Sequence, residues 1–180
     1  MGSSIFSGSL SLLRGAALGV AVLASLSLAP PAHAGRLVRY KSPYLPGEIL
    51  ISQSERKLYL IVDGDRAIVY PVAVARRGKE WEGRARVQAK YVEPAWSPPD
   101  SVKRDHPELP DVIQGGAPGN PMGARAILLD RDEIAIHGTN RRMRASIGAG
   151  VSYGCIRMLN EDVIDLFDRV AVGTPVMMAR

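Results

Sequence analysis

Short apolar runs separated by turn residues constrain the fold of this 180-residue chain more than any other feature of its sequence. Lys57–Asp63 and Arg66–Val74 lie on either side of Gly64 and Asp65, which predicts a β-hairpin closed by a glycine-containing turn. Apolar residues occupy both alternating faces of the first run, as they do in a sheet that is covered on both sides. Pro71 interrupts the second run and predicts a sheet edge or a bulge. These features favour a mostly β domain.

Further runs of the same kind each predict a strand: Glu48–Gln53, Arg84–Val92, Ala124–Leu129, Glu133–His137 and Pro175–Ala179. Residues 93–121 are rich in proline and glycine and predict a long irregular loop, which in a compact domain is usually functional or disordered. One helix is predicted with Asn160 as its N-cap, because apolar residues then repeat at helical spacing as far as Val170. The predicted fold is a single mostly β domain with one main C-terminal helix.

The first 34 residues differ from the rest of the chain. Residues 1–34 contain no acidic residue and a single cation, Arg14, which precedes the apolar run Gly15–Ala29. A small-x-small site ends at Ala34, so the segment is predicted to be a secretory signal peptide cleaved after that residue. An uncleaved membrane anchor is the alternative, although the run is shorter than the roughly 20 residues that span a bilayer. Residues 35–47 are basic and are predicted to form an N-terminal arm before the domain at 48–180.

A single cysteine, Cys155, occurs in a chain whose 46% hydrophobic and 23% charged residues are typical of a globular protein. One cysteine forms no internal disulfide and builds no cysteine-rich metal site. In an oxidising compartment structural cysteines usually occur in pairs, whereas a lone thiol is prone to oxidation. An exported chain with one cysteine is therefore better explained if that thiol is chemically active. The formal charge of +5 suits an anionic polymer as partner.

Two short segments supply residues that could work with this thiol. His137 ends an apolar run, and Cys155 follows it by 18 positions, within Ser152-Tyr153-Gly154-Cys155-Ile156-Arg157. An imidazole activates a thiol by taking its proton, backbone amides at Gly154 and Cys155 can stabilise an oxyanion, and Arg157 can hold a substrate carboxylate. Taken alone, a buried cysteine with an unrelated histidine explains the pair equally well.

A set of spaced motifs then gives a family resemblance. Ile136–Asn140, Ser146–Gly148 and Ser152–Met158 resemble the signature of the L,D-transpeptidase catalytic domain, the YkuD family with its ErfK- and YbiS-like members. Asn120–Gly123 and Asn160–Val176 are similar to two further segments of that family. The resemblance covers about residues 47–179 and implies an L,D-transpeptidase-like β-sandwich.

The resemblance also implies roles for individual residues. Cys155 would be the nucleophile, His137 the general base, and the backbone carbonyl of Gly138 would orient the imidazole. Five more residues would bind substrate or stabilise the oxyanion: Asn140, Ser152, Tyr153, Gly154 and Arg157. Tyr153 stands where the family commonly has a second histidine, so His137 would transfer protons alone. Glu80–Gly83 departs from the family's usual Thr-Pro-Thr-Gly turn.

The implied function is that of an exported, cell-wall-associated peptidoglycan L,D-transpeptidase of the periplasm. Cys155 would attack the carbonyl of the third stem residue and release D-Ala, and the thioester would pass to an amine. That amine would belong to another stem peptide, giving a 3→3 cross-link, or to a lysine of an envelope protein. A hydrolase or L,D-carboxypeptidase on the same scaffold and a non-enzymatic wall-binding module are the alternatives. We expect no cofactor, no metal, no nucleic-acid partner and no stable membrane insertion after signal cleavage.

Overall fold

The computed structural model describes residues 1–2 and 34–180, and within them the chain forms eleven β-strands and two α-helices. In chain order they are β1 (Arg36–Arg39), β2 (Ile49–Ser52), β3 (Lys57–Ile61), β4 (Arg66–Pro71), β5 (Val74–Ala75), β6 (Gly83–Val92), α1 (Asp100–Asp105), β7 (Arg125–Leu129), β8 (Ala135–His137), β9 (Gly150–Ser152), β10 (Ile156–Arg157), α2 (Asn160–Arg169) and β11 (Pro175–Ala179). A short 3₁₀ helix spans Met143–Ser146. No helix in this described part is long and apolar enough to cross a membrane.

Nine of these strands form one mixed sheet in the order β1-β4-β3-β2-β11-β6-β7-β8-β10. Neighbours in it are antiparallel except for the parallel pairs β2–β11 and β8–β10. β5 and β9 form a separate parallel pair. Ala73 and Arg157 exchange two backbone hydrogen bonds of 2.9 Å each, so β10 at one end of the sheet is tied to the chain that follows β4 near the other end. The sheet therefore curls back on itself.

The main core lies inside this curled sheet. It contains fully buried side chains such as Ile51, Leu58 and Ile136, and burying one such side chain contributes about 1.5–3 kcal/mol. α2 packs on β7 and β8 through its apolar stripe, while the buried Tyr70 of β4 donates a hydrogen bond of 2.6 Å to Asp165 of α2. The prediction of a mostly β domain is confirmed. The predicted C-terminal helix is present, and α1 is a second helix inside the proline-rich loop.

The predicted capping role of Asn160 is wrong. Leu159 is the residue at the N-cap position, and no side chain caps the helix. The Asn160 side chain instead accepts hydrogen bonds from the backbone N–H groups of Ala124 and Thr139, at 3.0 and 3.1 Å. Its amide oxygen joins two loops next to β7 and β8, and this use excludes a local bond to its own helix.

The predicted hairpin is present as β3 and β4, paired antiparallel from Lys57 opposite Pro71 to Ile61 opposite Ala67. The second run does not continue to Val74 as one strand. β4 ends at Pro71, which has no N–H to donate, and the next amide, Val72, bonds the carbonyl of Arg56 outside the ladder. A separate strand, β5, then begins at Val74.

Part of the region predicted as an N-terminal arm is a strand, because β1 pairs antiparallel with β4 from Arg36 opposite Val69 to Arg39 opposite Arg66. Arm residues including Val38, Tyr40 and Tyr44 pack on a second cluster of buried residues. Residues 3–33, which hold nearly all of the predicted signal peptide, lie outside the described residues, so that interpretation stays a prediction.

Candidate active site

The parallel strands β8 and β10 bring the two candidate catalytic residues together. Their register places Ile136 opposite Ile156 and His137 opposite Arg157. Because side chains alternate along a strand, Cys155, two residues before Arg157, projects from the same face as Arg157 and His137. These three residues line one cavity of about 80 Å³ with Ser152 and Tyr153. Residues 18 positions apart in sequence thus share a single site.

His137 is held as a neutral base. Its side chain is only 4% exposed, and its Nδ1 lies 2.8 Å from the carbonyl oxygen of Gly138. A carbonyl oxygen only accepts hydrogen bonds, so Nδ1 carries the proton of the neutral ring and Nε2 keeps its lone pair. The carbonyl of Pro121 is a second backbone acceptor near the ring, and with that of Gly138 it acts to raise the pKa. Burial and the nearby Arg157 cation lower the pKa of His137 to about 4. The imidazole is therefore uncharged at neutral pH and able to accept a proton at Nε2.

The Cys155 thiol hydrogen-bonds to backbone groups that the sequence did not indicate. Sγ donates to the carbonyl of Glu133 at 3.2 Å and accepts from the N–H of Ala135 at 3.4 Å. Desolvation raises the pKa of the thiol, although the Ala135 N–H and the charge of Arg157 act in the opposite direction. The resting pair is thus a neutral thiol and a neutral imidazole.

The turn before the nucleophile is fixed by the Ser152 hydroxyl. Ser152 Oγ donates to the carbonyl of Cys155 at 2.6 Å and accepts from the N–H of Gly154 at 3.1 Å. Gly154 has φ +133°, and a Cβ there would lie 2.5 Å from the side chain of Ile134, so only glycine fits. Of the two amides expected to bind an oxyanion, that of Gly154 is therefore used by Ser152. In the part of the chain that is described, the Cys155 amide donates to no protein acceptor.

Arg157 supplies a positive charge without a partner anion. Its guanidinium is partly buried, and among the described residues it forms no ion pair. Burial lowers the pKa of this guanidinium, yet arginine stays protonated in proteins. A desolvated cation beside the nucleophile is well suited to bind a substrate carboxylate.

Tyr153 joins the catalytic turn to α1. Its hydroxyl donates to Asp105, the last residue of α1, at 2.5 Å, and the guanidinium of Arg76 stacks 4.0 Å from its ring centre. Arg76 and Asp105 also form an ion pair of 3.0 Å. The hydrogen bond to Asp105 raises the pKa of Tyr153, so the phenol is uncharged at neutral pH. Tyr153 therefore connects the turn before Cys155 to α1 and to Arg76.

The side chain of Asn140, in the loop after β8, forms two hydrogen bonds with backbone groups. Its Oδ1 accepts from the N–H of Met143 at 3.0 Å, and its Nδ2 donates to the carbonyl of Gly119 at 3.4 Å. It lines an apolar cavity of about 310 Å³ with Trp96 and Arg157. Asn140 thus shapes the wall of a space beside Tyr153 and Arg157.

Cys155 also borders a larger cleft of about 990 Å³, lined by Trp96, Arg131 and Glu133 among others. Behind the catalytic turn, the indole Nε1 of Trp81 donates to the carbonyl of Gly154 at 3.0 Å. Cys155 therefore borders open space, while Trp81 holds the carbonyl of the residue before it.

The sequence of the chain matches a known family. The family model of the L,D-transpeptidase catalytic domain, YkuD, matches residues 46–178. The chain belongs to this family. The match includes Cys155, His137 and every strand from β2 to β10, so the cavities described above lie within the L,D-transpeptidase domain.

Known proteins agree with this assignment. The chain is 37% identical over 137 residues to the Probable L,D-transpeptidase YbiS of Escherichia coli K12, covering 71% of this chain and 43% of YbiS. It thus spans less than half the length of that relative. An L,D-transpeptidase from Mycobacterium smegmatis shares the fold, with a TM-score of 0.58, 18% identity, and coverage of 73% of this chain and 58% of that one.

A solved structure from Brucella melitensis is more similar in sequence. It is 38% identical, with a TM-score of 0.54, and the alignment covers 81% of this chain and 92% of that one. Its description names a probable carnitine operon oxidoreductase. The family assignment of the present chain rests on the match to the family model and on the curated relatives.

Proposed function

We propose that this chain is an exported peptidoglycan L,D-transpeptidase with Cys155 as its nucleophile. The observation that carries the proposal is the pairing of the single cysteine with a buried, neutral His137 whose Nδ1–H is bound to Gly138. This arrangement leaves Nε2 as a proton acceptor on the cavity that both residues line. It supplies the nucleophile and the base that acyl transfer through a thioester needs.

In the first half-reaction, the thiol proton moves to Nε2 of His137 as Sγ bonds to the carbonyl carbon of the third stem residue. The C–N bond to the terminal D-Ala then breaks, and the leaving amine takes the proton from His137. Arg157, a cation with no anion partner in the described residues, binds a carboxylate of the stem. The products are free D-Ala and a thioester on Cys155.

In the second half-reaction, an amine attacks the thioester, its proton passes to His137, and the Cys155 thiolate leaves and recovers the proton. The amine of a second stem gives a 3→3 cross-link, and a protein lysine would attach an envelope protein. If water is the acceptor, the same steps yield a carboxypeptidase.

A defined substrate tests the proposal. Purified protein is incubated with a tetrapeptide stem, with and without a second stem as acceptor. The products are separated and identified by mass spectrometry. We expect release of D-Ala and a cross-linked dimer in the presence of acceptor, and neither with Cys155→Ala. A tripeptide as the main product in both reactions would assign the hydrolase instead. If the folded protein releases no D-Ala from the stem, the result would favour a wall-binding module.

Export is the second part of the proposal. Residues 1–34 have the order of a secretory signal, with a cation, an apolar run and a small-x-small site. The mature protein from a cell envelope fraction is expected to begin at Gly35, as read by N-terminal sequencing. A chain that retains residues 1–34 in the membrane fraction would identify an uncleaved anchor.

A further inference from the structure

Trp81 contacts the turn before Cys155 and lines neither of the two cavities that Cys155 borders. Its side chain packs on the main core, and the guanidinium of Arg131 stacks 4.6 Å from its ring centre. Arg131 also donates to the carbonyl of Glu82 at 3.0 Å. The indole lines a separate groove with Glu80 and Arg180, and it lines neither cavity that Cys155 borders. Trp81 is therefore fixed in place and does not face a substrate at Cys155.

The indole N–H of Trp81 fixes the orientation of one peptide bond. It donates to the carbonyl oxygen of Gly154 at 3.0 Å. Because this peptide bond is trans, its C=O and N–H point in opposite directions. With the carbonyl bound to Trp81, the N–H of Cys155 points away from the indole. Cys155 itself borders both ligand cavities.

That amide is the one left available at this turn. The N–H of Gly154 is bound by Ser152 Oγ, and the N–H of Cys155 has no acceptor among the described residues. Glycine allows wide backbone rotation on the N-terminal side of this peptide, so it can flip easily. A flipped peptide would aim the Gly154 carbonyl, a negative dipole, at the developing oxyanion.

We propose that Trp81 is a positioning residue that holds the Gly154–Cys155 peptide so that the Cys155 N–H stabilises the oxyanion of the acyl-transfer intermediate. This inference rests on the proposed function, and it assigns a role to a side chain in Glu80–Gly83, where the chain departs from the usual family turn. Donors aimed in advance at a developing charge lower the barrier without reorganisation during the reaction. Trp81 would supply that preorganisation.

The experiment removes the indole N–H and measures the first half-reaction. In the first variant, Trp81 is replaced by β-(3-benzothienyl)alanine, an isostere without the N–H. The second variant is Trp81→Phe. Acylation by the tetrapeptide and by ertapenem is followed by intact-protein mass over a range of concentrations. We expect the maximal acylation rate to fall about tenfold or more, with the half-saturating concentration unchanged. Alkylation of Cys155 by iodoacetamide, which forms no oxyanion, should proceed at the wild-type rate.

Lys90→Met is the matched control. Lys90 donates from its side chain to the carbonyls of Phe167 and Val170, both at 2.6 Å, at a place away from the site. Its replacement removes the same kind of bond, and the acylation rate should stay unchanged.

Three results would overturn the inference. The first is an acylation rate equal to that of the wild type in both Trp81 variants. The second is an equal decrease of the acylation and alkylation rates, which would indicate general damage to the turn. A wild-type protein that is alkylated but never acylated would overturn the proposed function itself, and this inference with it.

Discussion

The Nδ1 atom of His137 lies 2.8 Å from the carbonyl oxygen of the next residue, Gly138. A backbone acceptor here takes the place that a carboxylate has in many catalytic triads. It fixes the tautomer without placing a negative charge beside the imidazole. Burial and Arg157 therefore lower the pKa of His137 with no anion to offset them.

This depressed pKa makes stability depend on pH. The pKa of His137 is about 4 in the folded chain, below its ordinary value of 6.5, so the unfolded chain binds a proton that the folded chain excludes. The contribution of His137 leaves the free energy of unfolding at its highest above pH 6.5. That free energy falls by about 3 kcal/mol as the pH decreases towards 4. Denaturant unfolding at pH 7 and pH 4.5 measures it, and His137→Gln should show a flatter dependence. Equal pH dependence in both proteins would contradict this assignment.

The raised pKa of Cys155 makes the free thiol unreactive. Desolvation disfavours the thiolate, and Sγ–H is bound to the Glu133 carbonyl. Alkylation by iodoacetamide should be slow at neutral pH and rise towards alkaline pH, with a midpoint above the ordinary cysteine range. A rate that is already at its plateau near pH 6 would indicate a thiolate–imidazolium pair and would refute the neutral resting state.

Replacing Arg157 is expected to increase the stability of the protein and to decrease its activity. Its desolvated cation has no ion-pair partner among the described residues, so Arg157→Gln should raise the free energy of unfolding by about 1 kcal/mol. The same change should lower kcat/KM for a carboxylate-bearing stem by about 10–100-fold, the value of a charged hydrogen bond. Arg39→Gln, an equal charge change on β1, controls for net charge. Lower stability with unchanged kcat/KM would contradict a substrate role.

Tyr153 is expected to matter less than His137. Tyr153→Phe removes the hydroxyl that binds Asp105 but leaves a ring for Arg76 to stack on. Hydrogen exchange in α1 should become faster, and acylation should fall less than about tenfold, whereas His137→Gln should lose about 100-fold or more. Asp105→Asn weakens the same link and also removes the ion pair with Arg76, so it should accelerate exchange in α1 at least as much. If Tyr153→Phe is the more damaging variant, the assignment of the base is wrong.

Local patterns were enough to predict most strands of the fold. The hairpin of β3 and β4 and the strand β11 follow from runs and turns that are close in sequence. The capping role of Asn160 failed because its side chain bonds Ala124 and Thr139, which are near it only in the folded chain. The strand β1 was missed because its short run becomes regular only by pairing with β4.

The candidate site shows the same difference between features that a sequence motif reveals and contacts that form only in the folded chain. Side chains with specific chemistry, such as Cys155 and His137, can be picked out from motifs and spacing. The Glu133 carbonyl and the Ala135 N–H that bind the thiol are backbone groups, and every residue has them, so the sequence gives no signal for their role. The sequence gives no signal that links Trp81 to the catalytic turn either, because its partner Gly154 is distant in sequence.

The most direct test of the account is the mass of the acyl-enzyme. Wild-type protein is mixed with a tetrapeptide stem, quenched at short times, and weighed intact, and the modified peptide is then sequenced. We predict a transient mass increase equal to the stem without its D-Ala, located on Cys155, and absent from Cys155→Ala. An adduct on another residue, or D-Ala release that persists in Cys155→Ala, would contradict the assignment of this cysteine as the nucleophile.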